Sequence, residues 1–211
     1  MKIQWFGDST FLLSTSFGKK ILLDPFNIFS TLKENITADI SSFSKSIDFT
    51  SLENIQSFGK IINTACNTSA YKIKIKGYQC KSDSIYGLKR GDNIIYSYEF
   101  DNLKICHLGY LGELINIELI KNFKNYDVIF IPIGNNLCLN GKDAYELVTQ
   151  LQPKFIIPMC YKDKTSKFYF NSPKEFLSLS KNVISIKDNS IYLSDFLNTK
   201  TPTTLLMNST L

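Results

Sequence analysis

The residues of this 211-residue chain that could do chemistry are few: one histidine, His107, and five cysteines, Cys66, Cys80, Cys106, Cys138 and Cys160. His107 ends an apolar run, Leu103–Cys106, and leads into a glycine-punctuated turn, Gly109-Tyr110-Leu111-Gly112. Strand ends that spill into such loops are where α/β proteins place ligands and reacting groups. An imidazole there can serve as a general base, or simply hold the strand end by a hydrogen bond. Tyr110 and Glu113 are odd companions for a catalytic histidine. The cysteines are odd in number, widely spaced and without a C-x-x-C pair, which points to reduced thiols rather than a disulfide framework or a zinc knuckle.

Composition narrows the classes. With 44% hydrophobic and 20% charged residues, the chain is long and apolar enough for one well-buried core and does not read as disordered. The net charge of +5 is modest. Lys72, Lys74 and Lys76 alternate with Tyr71, Ile73 and Ile75, the pattern of a half-buried strand with a solvated outer face. No set of stacking aromatics accompanies these lysines, so nucleic-acid binding is not expected. The start, MKIQWFGDSTFLL, has no separate basic leader, and no apolar run reaches membrane-spanning length; a cytoplasmic protein without a membrane partner is expected.

Three short strands open the chain, Lys2–Phe6, Phe11–Ser16 and Lys20–Asp24, with Pro25 ending the third. Thr50-Ser51-Leu52-Glu53 has capping-box spacing and predicts a helix from Ser51 to about Gln56. Further strands are predicted at Lys60–Asn63, Tyr71–Cys80, Asn93–Phe100 and Leu103–His107, the last two joined across Asp101-Asn102. The second half alternates. A helix capped by Asn116 runs to Phe123, Val128–Ile133 is an apolar strand, Lys142–Leu151 is an amphipathic helix, and Phe155–Pro158 is another buried strand. Ser172-Pro173-Lys174-Glu175 starts a last helix. Val183–Ile186 and Ile191–Leu193 read as a final hairpin turning at Asp188-Asn189. Runs of strands followed by strand–helix alternation suggest two sheets with helices outside them. The expectation is a single domain over residues 1–197 and a polar tail, 198–211, that frays.

The order of several motifs carries a resemblance. MKIQWFGDSTFLL resembles an opening M-K-I-x-W-x-G-H-[SA]-x-F, and KKILLDPF the third strand after it. KIKGYQ and GLKRGDNIIYSYEF resemble central hairpins, KICHLGYLGE an H-L-G-D-L-G-H turn, and QPKFIIPMCYKD a K-P-K-x-x-I-P-M-H-Y-K ending. Together they resemble the metallo-β-lactamase superfamily, in particular the small metal-dependent hydrolases related to ascorbate-6-phosphate lactonase, over about Met1 to Lys167. The resemblance implies an α/β fold, a four-layer αββα sandwich. In that family, His and carboxylate ligands from several loops hold one or two metal ions, usually zinc, that activate water.

The ligand positions are where this chain departs. The family's H-x-H-x-D-H signature falls on Ser44, Ser46, Asp48 and Phe49 in one register, or on Lys45, Ile47, Phe49 and Thr50 in the other. A later histidine falls on Ser82 beside Asp83, the bridging aspartate on Tyr110, the final histidine on Cys160 and the opening histidine on Asp8. Serine, phenylalanine and lysine do not replace imidazole at zinc. His107 stands three residues before the bridging position and reads as structural. Asp24 and Asp39 match carboxylates that orient loops.

The resemblance therefore implies a degenerate member with its zinc site lost and no cofactor. It would be non-catalytic, its vestigial pocket keeping Cys160 at the mouth and binding an unknown small ligand or protein partner; a homo-oligomer is left open. Two alternatives keep catalysis: a nucleophilic Cys160 activated by His107, and a rebuilt metal site combining Cys160 with Asp48, Asp83 or Cys80.

Overall fold

The computed structural model describes residues 1–26, 36–46, 55–163, 166 and 168–208, with the side chains of 55 and 56 set aside. The predicted helix start at Thr50–Glu53 lies outside the described residues. Just after it the chain forms a single 3-10 turn, Ile55–Phe58.

Two sheets face each other. The six-stranded sheet is built on the opening meander, β1 (Lys2–Trp5), β2 (Phe11–Ser14) and β3 (Lys20–Leu23), continued in parallel by β4 (Ile40–Ser42) and β5 (Lys60–Ile62). The second sheet begins antiparallel, with β6 (Cys66–Ala70), β7 (Ile73–Lys81), β8 (Asp92–Phe100) and β9 (Leu103–His107). It turns parallel at β10 (Val128–Pro132) and β11 (Phe155–Met159). That switch matches the sequence: parallel strands need crossovers, and helix α1 (Ile117–Phe123) and helix α2 (Gly141–Leu151) supply them.

Both helices start where a side chain satisfies an otherwise free amide. Asn116 accepts from Leu119 N at 2.9 Å and Asn140 from Asp143 N at 2.8 Å. Helix α2 buries Ala144, Leu147, Val148 and Leu151, and Tyr145 packs on Phe176 of helix α3 (Lys174–Leu179).

The core lies between the sheets. Phe11 of β2 meets Phe130 of β10 with ring centroids 4.5 Å apart, and the Ser42 and Tyr98 hydroxyls share a hydrogen bond of 2.6 Å from sheet to sheet. Outside the six-stranded sheet a smaller cluster, Phe6, Leu12, Leu22 and Phe58, is covered by the 3-10 turn.

Three expectations are corrected. The final hairpin does not form, because β12 (Val183–Ser185) and β13 (Ser190–Tyr192) join different sheets: β13 pairs antiparallel with β1, and β12 parallel with β14 (Thr203–Leu206). Burying Ile191 between the sheets outweighs a local Asp188-Asn189 turn. The tail does not fray as far as Leu206, since β14 is wedged between β11 and β12 with Thr203, Thr204 and Leu205 buried. And β6 was not predicted. It is an edge strand in which Asn67 and Ser69 are exposed and Cys66, Thr68 and Ala70 half-buried.

Candidate functional site

Four strand ends meet at one end of the sandwich. Asp8 follows β1, Asp24 follows β3, His107 ends β9 and Cys160 follows β11. Asp8, Asp24 and Cys160 all adopt left-handed backbone, with φ of 47°, 44° and 53°. That conformation costs a non-glycine residue roughly 1–2 kcal/mol. Such residues concentrate where a fold aims side chains at a site.

Asp24 is the anchor. Its Oδ1 accepts from Ser44 N at 2.6 Å and its Oδ2 from Ser44 Oγ at 2.5 Å, while its carbonyl accepts from Thr10 Oγ1 at 2.5 Å. His107 is 1% exposed, with Phe11 and Phe130 against its ring. Its Nε2 lies 3.0 Å from the Ser9 carbonyl. A carbonyl only accepts, so Nε2 carries the proton and Nδ1 is left with a lone pair 4.0 Å from Asp24 Oδ2. Burial pulls the His107 pKa below 6.5 against the opposing pull of Asp24. Burial likewise raises Asp24 above 3.8, against the effects of His107 and Ser44. Both shifts favour neutral partners.

Stability then depends on pH. Below pH 6.5 the unfolded chain takes up a proton on histidine that the folded chain refuses. His107 therefore makes stability fall as pH drops from 6.5 toward its depressed folded value, by at most about 1.4 kcal/mol per pH unit. Asp24 acts oppositely above pH 3.8, where its unfolded form ionises first. Replacing His107→Gln should flatten the urea midpoint between pH 7 and 5 relative to wild type. In the parent, imidazole NMR should show the Nε2-protonated tautomer with no titration near 6.5; a normal titration would refute the buried neutral ring.

The turn after β9 is held by Asn93, whose Oδ1 accepts from Tyr110 N at 2.8 Å and whose Nδ2 donates to Leu108 O at 3.0 Å and Cys80 Sγ at 3.1 Å. Tyr110 is thereby turned inward and buried. Its hydroxyl faces Ser9 amid Cys160, Asp24 and Asp8, and burial pushes its pKa well above 10. Lys45 Nζ lies 5.8 Å from the Tyr110 ring centre and donates to Ser82 Oγ at 2.9 Å and Arg90 O at 2.7 Å.

The predicted site residues thus divide. Asp8, Ser44, His107, Tyr110 and Cys160 come together, joined by Asp24. Ser82 adjoins through Lys45. Asp83 does not face the cluster: its carboxylate accepts four backbone amides, of Ile85, Gly87, Lys89 and Arg90, and so shapes the loop before β8. Ser46 is exposed, and Asp48 and Phe49 lie outside the described residues. Asp39 sits away from the cluster, at the starts of β3 and β4, bound to Lys19 Nζ at 2.7 Å and Lys20 N at 2.8 Å.

Cys160 is not at a mouth but fully buried. Its thiol meets that of Cys138 rather than the His107 ring, and burial followed by that neighbour drives its pKa well up. With its pKa raised rather than lowered, it is not primed as the attacking nucleophile of a hydrolase. Cys80 is tied to Asn93, and burial pushes its pKa up to about 12 against the pull of that bond. Outside the cluster, the described residues leave a cleft of about 500 Å³ lined by Asn136, Lys162, Asp163, Ser166 and the aromatic run Phe168–Phe170. Ser166 Oγ links it to the cluster by donating to Asp8 Oδ1 at 3.2 Å.

Sequence reasoning missed Ser9, Asn93, Cys138 and Ser166. Ser9 and Asn93 stood inside motifs that carried the resemblance and Cys138 among the five cysteines, without anything to place them at the site; Ser166 had no signal.

A beta-lactamase superfamily domain model matches residues 2–160. The chain belongs to that superfamily. Among superfamily relatives, it is 28% identical to a metal-dependent hydrolase of Pelotomaculum thermopropionicum over 84% of this chain and 91% of that one. It also resembles a structure from Thermotoga maritima assigned to the Zn-dependent hydrolases of the metallo-beta-lactamase superfamily, with 29% identity, a TM-score of 0.79 and 98% of each chain covered. An isothiocyanate hydrolase from Delia radicum gut bacteria shares the fold at 13% identity, with a TM-score of 0.66 over 100% of this chain and 98% of that one. The fold is the αββα sandwich of the metallo-β-lactamases.

Such relatives imply a metal ion, and the donors described do not fit one. Among the described residues no three His, Cys, Asp or Glu side chains group closely enough to hold a metal. Both Asp24 oxygens accept from Ser44, the Cys160 and Tyr110 pKa values are raised, and one face of His107 is spent on Ser9. Zinc requires deprotonated sulfur and converging lone pairs.

Proposed function

We propose that this is a metallo-β-lactamase-fold protein in which a packed, mostly neutral cluster has replaced the hydrolytic metal centre, and that it works by binding rather than by turnover. One observation carries the reading: the buried Tyr110 phenol points into the space among Asp8, Ser9, Asp24 and Cys160. A phenol kept protonated there fills volume and repels nothing, whereas a metal needs that volume and anionic donors around it. The left-handed strand ends at Asp8, Asp24 and Cys160 support descent from a working site. The cleft beside Ser166 is the place for a ligand. Its exposed Phe168 and Tyr169 with Lys162 and Asp163 suit a small molecule with an apolar body and a polar end.

The test is elemental analysis of the purified tag-free chain with a thermal titration by zinc and manganese. Below about a tenth of an equivalent of metal is expected, with no shift. A native-state metal at a hundred times its dissociation constant would add about 2.7 kcal/mol. Near-stoichiometric metal with a clear upward shift would overturn the reading.

A further inference from the structure

Cys138 and Cys160 are the two cysteines that the folding of the chain brings thiol to thiol. The parallel pairing of β10 with β11 places Pro132 opposite Met159, and Ile133 N still donates to Met159 O at 3.1 Å, so the two strands end side by side. Beyond them Gly134 passes so close to Cys160 that a Cβ on it would lie 1.8 Å from the Cys160 carbonyl oxygen. Asn135 and Asn136, both left-handed, then fold the loop back and place Cys138 beside Cys160, near enough for each thiol to influence the other.

The environments of the two differ. Cys160 is completely buried. Cys138, although itself nearly buried, lines a surface cavity of about 230 Å³ together with Lys89, Arg90, Asn140 and Asp143. Its sulfur has two carbonyl oxygens, of Asn135 and Leu139, at 3.6 Å each. Cys138 thus forms part of the wall of a cavity open to solvent, and Cys160 lies behind it. Of the remaining three, Cys80 is engaged with Asn93, Cys106 beyond it is completely buried, and Cys66 lies on the edge strand β6.

From this geometry we infer that Cys138 and Cys160 form a redox-responsive pair, with Cys138 the site of attack by a hydroperoxide and Cys160 the resolving thiol. The Cys138 sulfur attacks the distal peroxide oxygen and the O–O bond breaks, giving a Cys138 sulfenic acid and one molecule of alcohol or water. Cys160 then attacks that sulfur, the S–O bond breaks, and the departing hydroxide leaves as water with the Cys160 proton. Two electrons pass from the thiols to the peroxide. The disulfide ties the loop before α2 to the end of β11, the wall between the buried cluster and the cleft. The inference rests on the proposed absence of a metal, because a metal-bound Cys160 sulfur would be protected from this reaction.

The experiment uses the wild-type chain, with and without prior chelation, exposed to a few equivalents of hydrogen peroxide and then alkylated and digested. The expected result is an intact-mass loss of about 2 Da and one cross-linked tryptic species joining the peptide Asn125–Lys142 to Phe155–Lys162. It should form equally in both samples and be reversed by a dithiol reductant, with the thermal midpoint higher in the oxidised protein. Absence of the cross-link in both samples, or its appearance only between chains through Cys66, would overturn the pair. Formation only after chelation would support the pair while sinking the metal-free reading. Cys138→Ser should leave no cross-link, and Cys160→Ser should accumulate a dimedone-reactive sulfenic acid at Cys138.

Discussion

Replacing Tyr110 with alanine should cost about 3–5 kcal/mol of stability, the range for emptying a buried aromatic position. For a chain of this length that is a fall of roughly 6–20 °C in thermal midpoint. The reason is positional. Tyr110 fills the centre of the cluster, its amide is held by Asn93, and Phe26 lies edge-on to its ring at 6.1 Å. Removing the ring also opens a void beside the buried Ser9 hydroxyl that the phenol faces. Tyr110→Phe separates the ring from the hydroxyl. Since the net worth of one hydroxyl contact with Ser9 is small, the Phe variant should stay within about 1 kcal/mol of the parent. Thermal and urea unfolding of both variants decide it: a Phe variant as damaged as the Ala variant would mean that the hydroxyl, not the ring, holds the cluster.

Much of this architecture could be read from residue types. Pro25 ended β3, Asn116 capped its helix, and the Ile73/Ile75 against Lys74/Lys76 alternation gave β7 its two faces, all through local chemistry acting within a few residues. What could not be read was set by partners far along the chain. Strand β13 lies against Lys2–Gln4 because that buries Ile191, and nothing in Asp188-Asn189 reports it. Strand β14 uses Thr203 and Thr204, residues whose polarity suggested a solvated tail, in a sheet position where both are covered.

The site divided in the same way. Asp8, Ser44, Tyr110 and Cys160 were named through an ordered motif, which fixes places in a fold. Cys138 and Ser166 arrive there only because loops fold back on them. Asp83 was named for its neighbour in the motif, yet its carboxylate serves the backbone of its own loop.

That loop gives the second large effect. Gly112→Ala should destabilise the chain by about 3 kcal/mol, at the upper end of the cost of overpacking, although Gly112 does not need left-handed backbone. The constraint is space. A Cβ there would stand 1.9 Å from Ser82 O and 2.8 Å from Asp83 N. The close approach is fixed from both sides, by Gly112 N donating to Lys81 O at 3.1 Å and Lys81 N donating to Glu113 Oε1 at 2.7 Å. To admit a methyl group, the Ser82–Asp83 peptide must retreat. That pulls Ser82 from Lys45 and loosens the carboxylate holding the amides of Gly87 and Arg90. Amide hydrogen exchange at Ile85, Gly87, Lys89 and Arg90 should therefore quicken more than at β10 or β11. Gly91→Ala is the control: it is left-handed at φ 71° but has nothing within 4 Å of its would-be Cβ. It should lose only about 1 kcal/mol from backbone strain. Should Gly112→Ala melt no lower than Gly91→Ala, the contact between the Tyr110 turn and the Ser82 loop would not be the constraint that the geometry makes it.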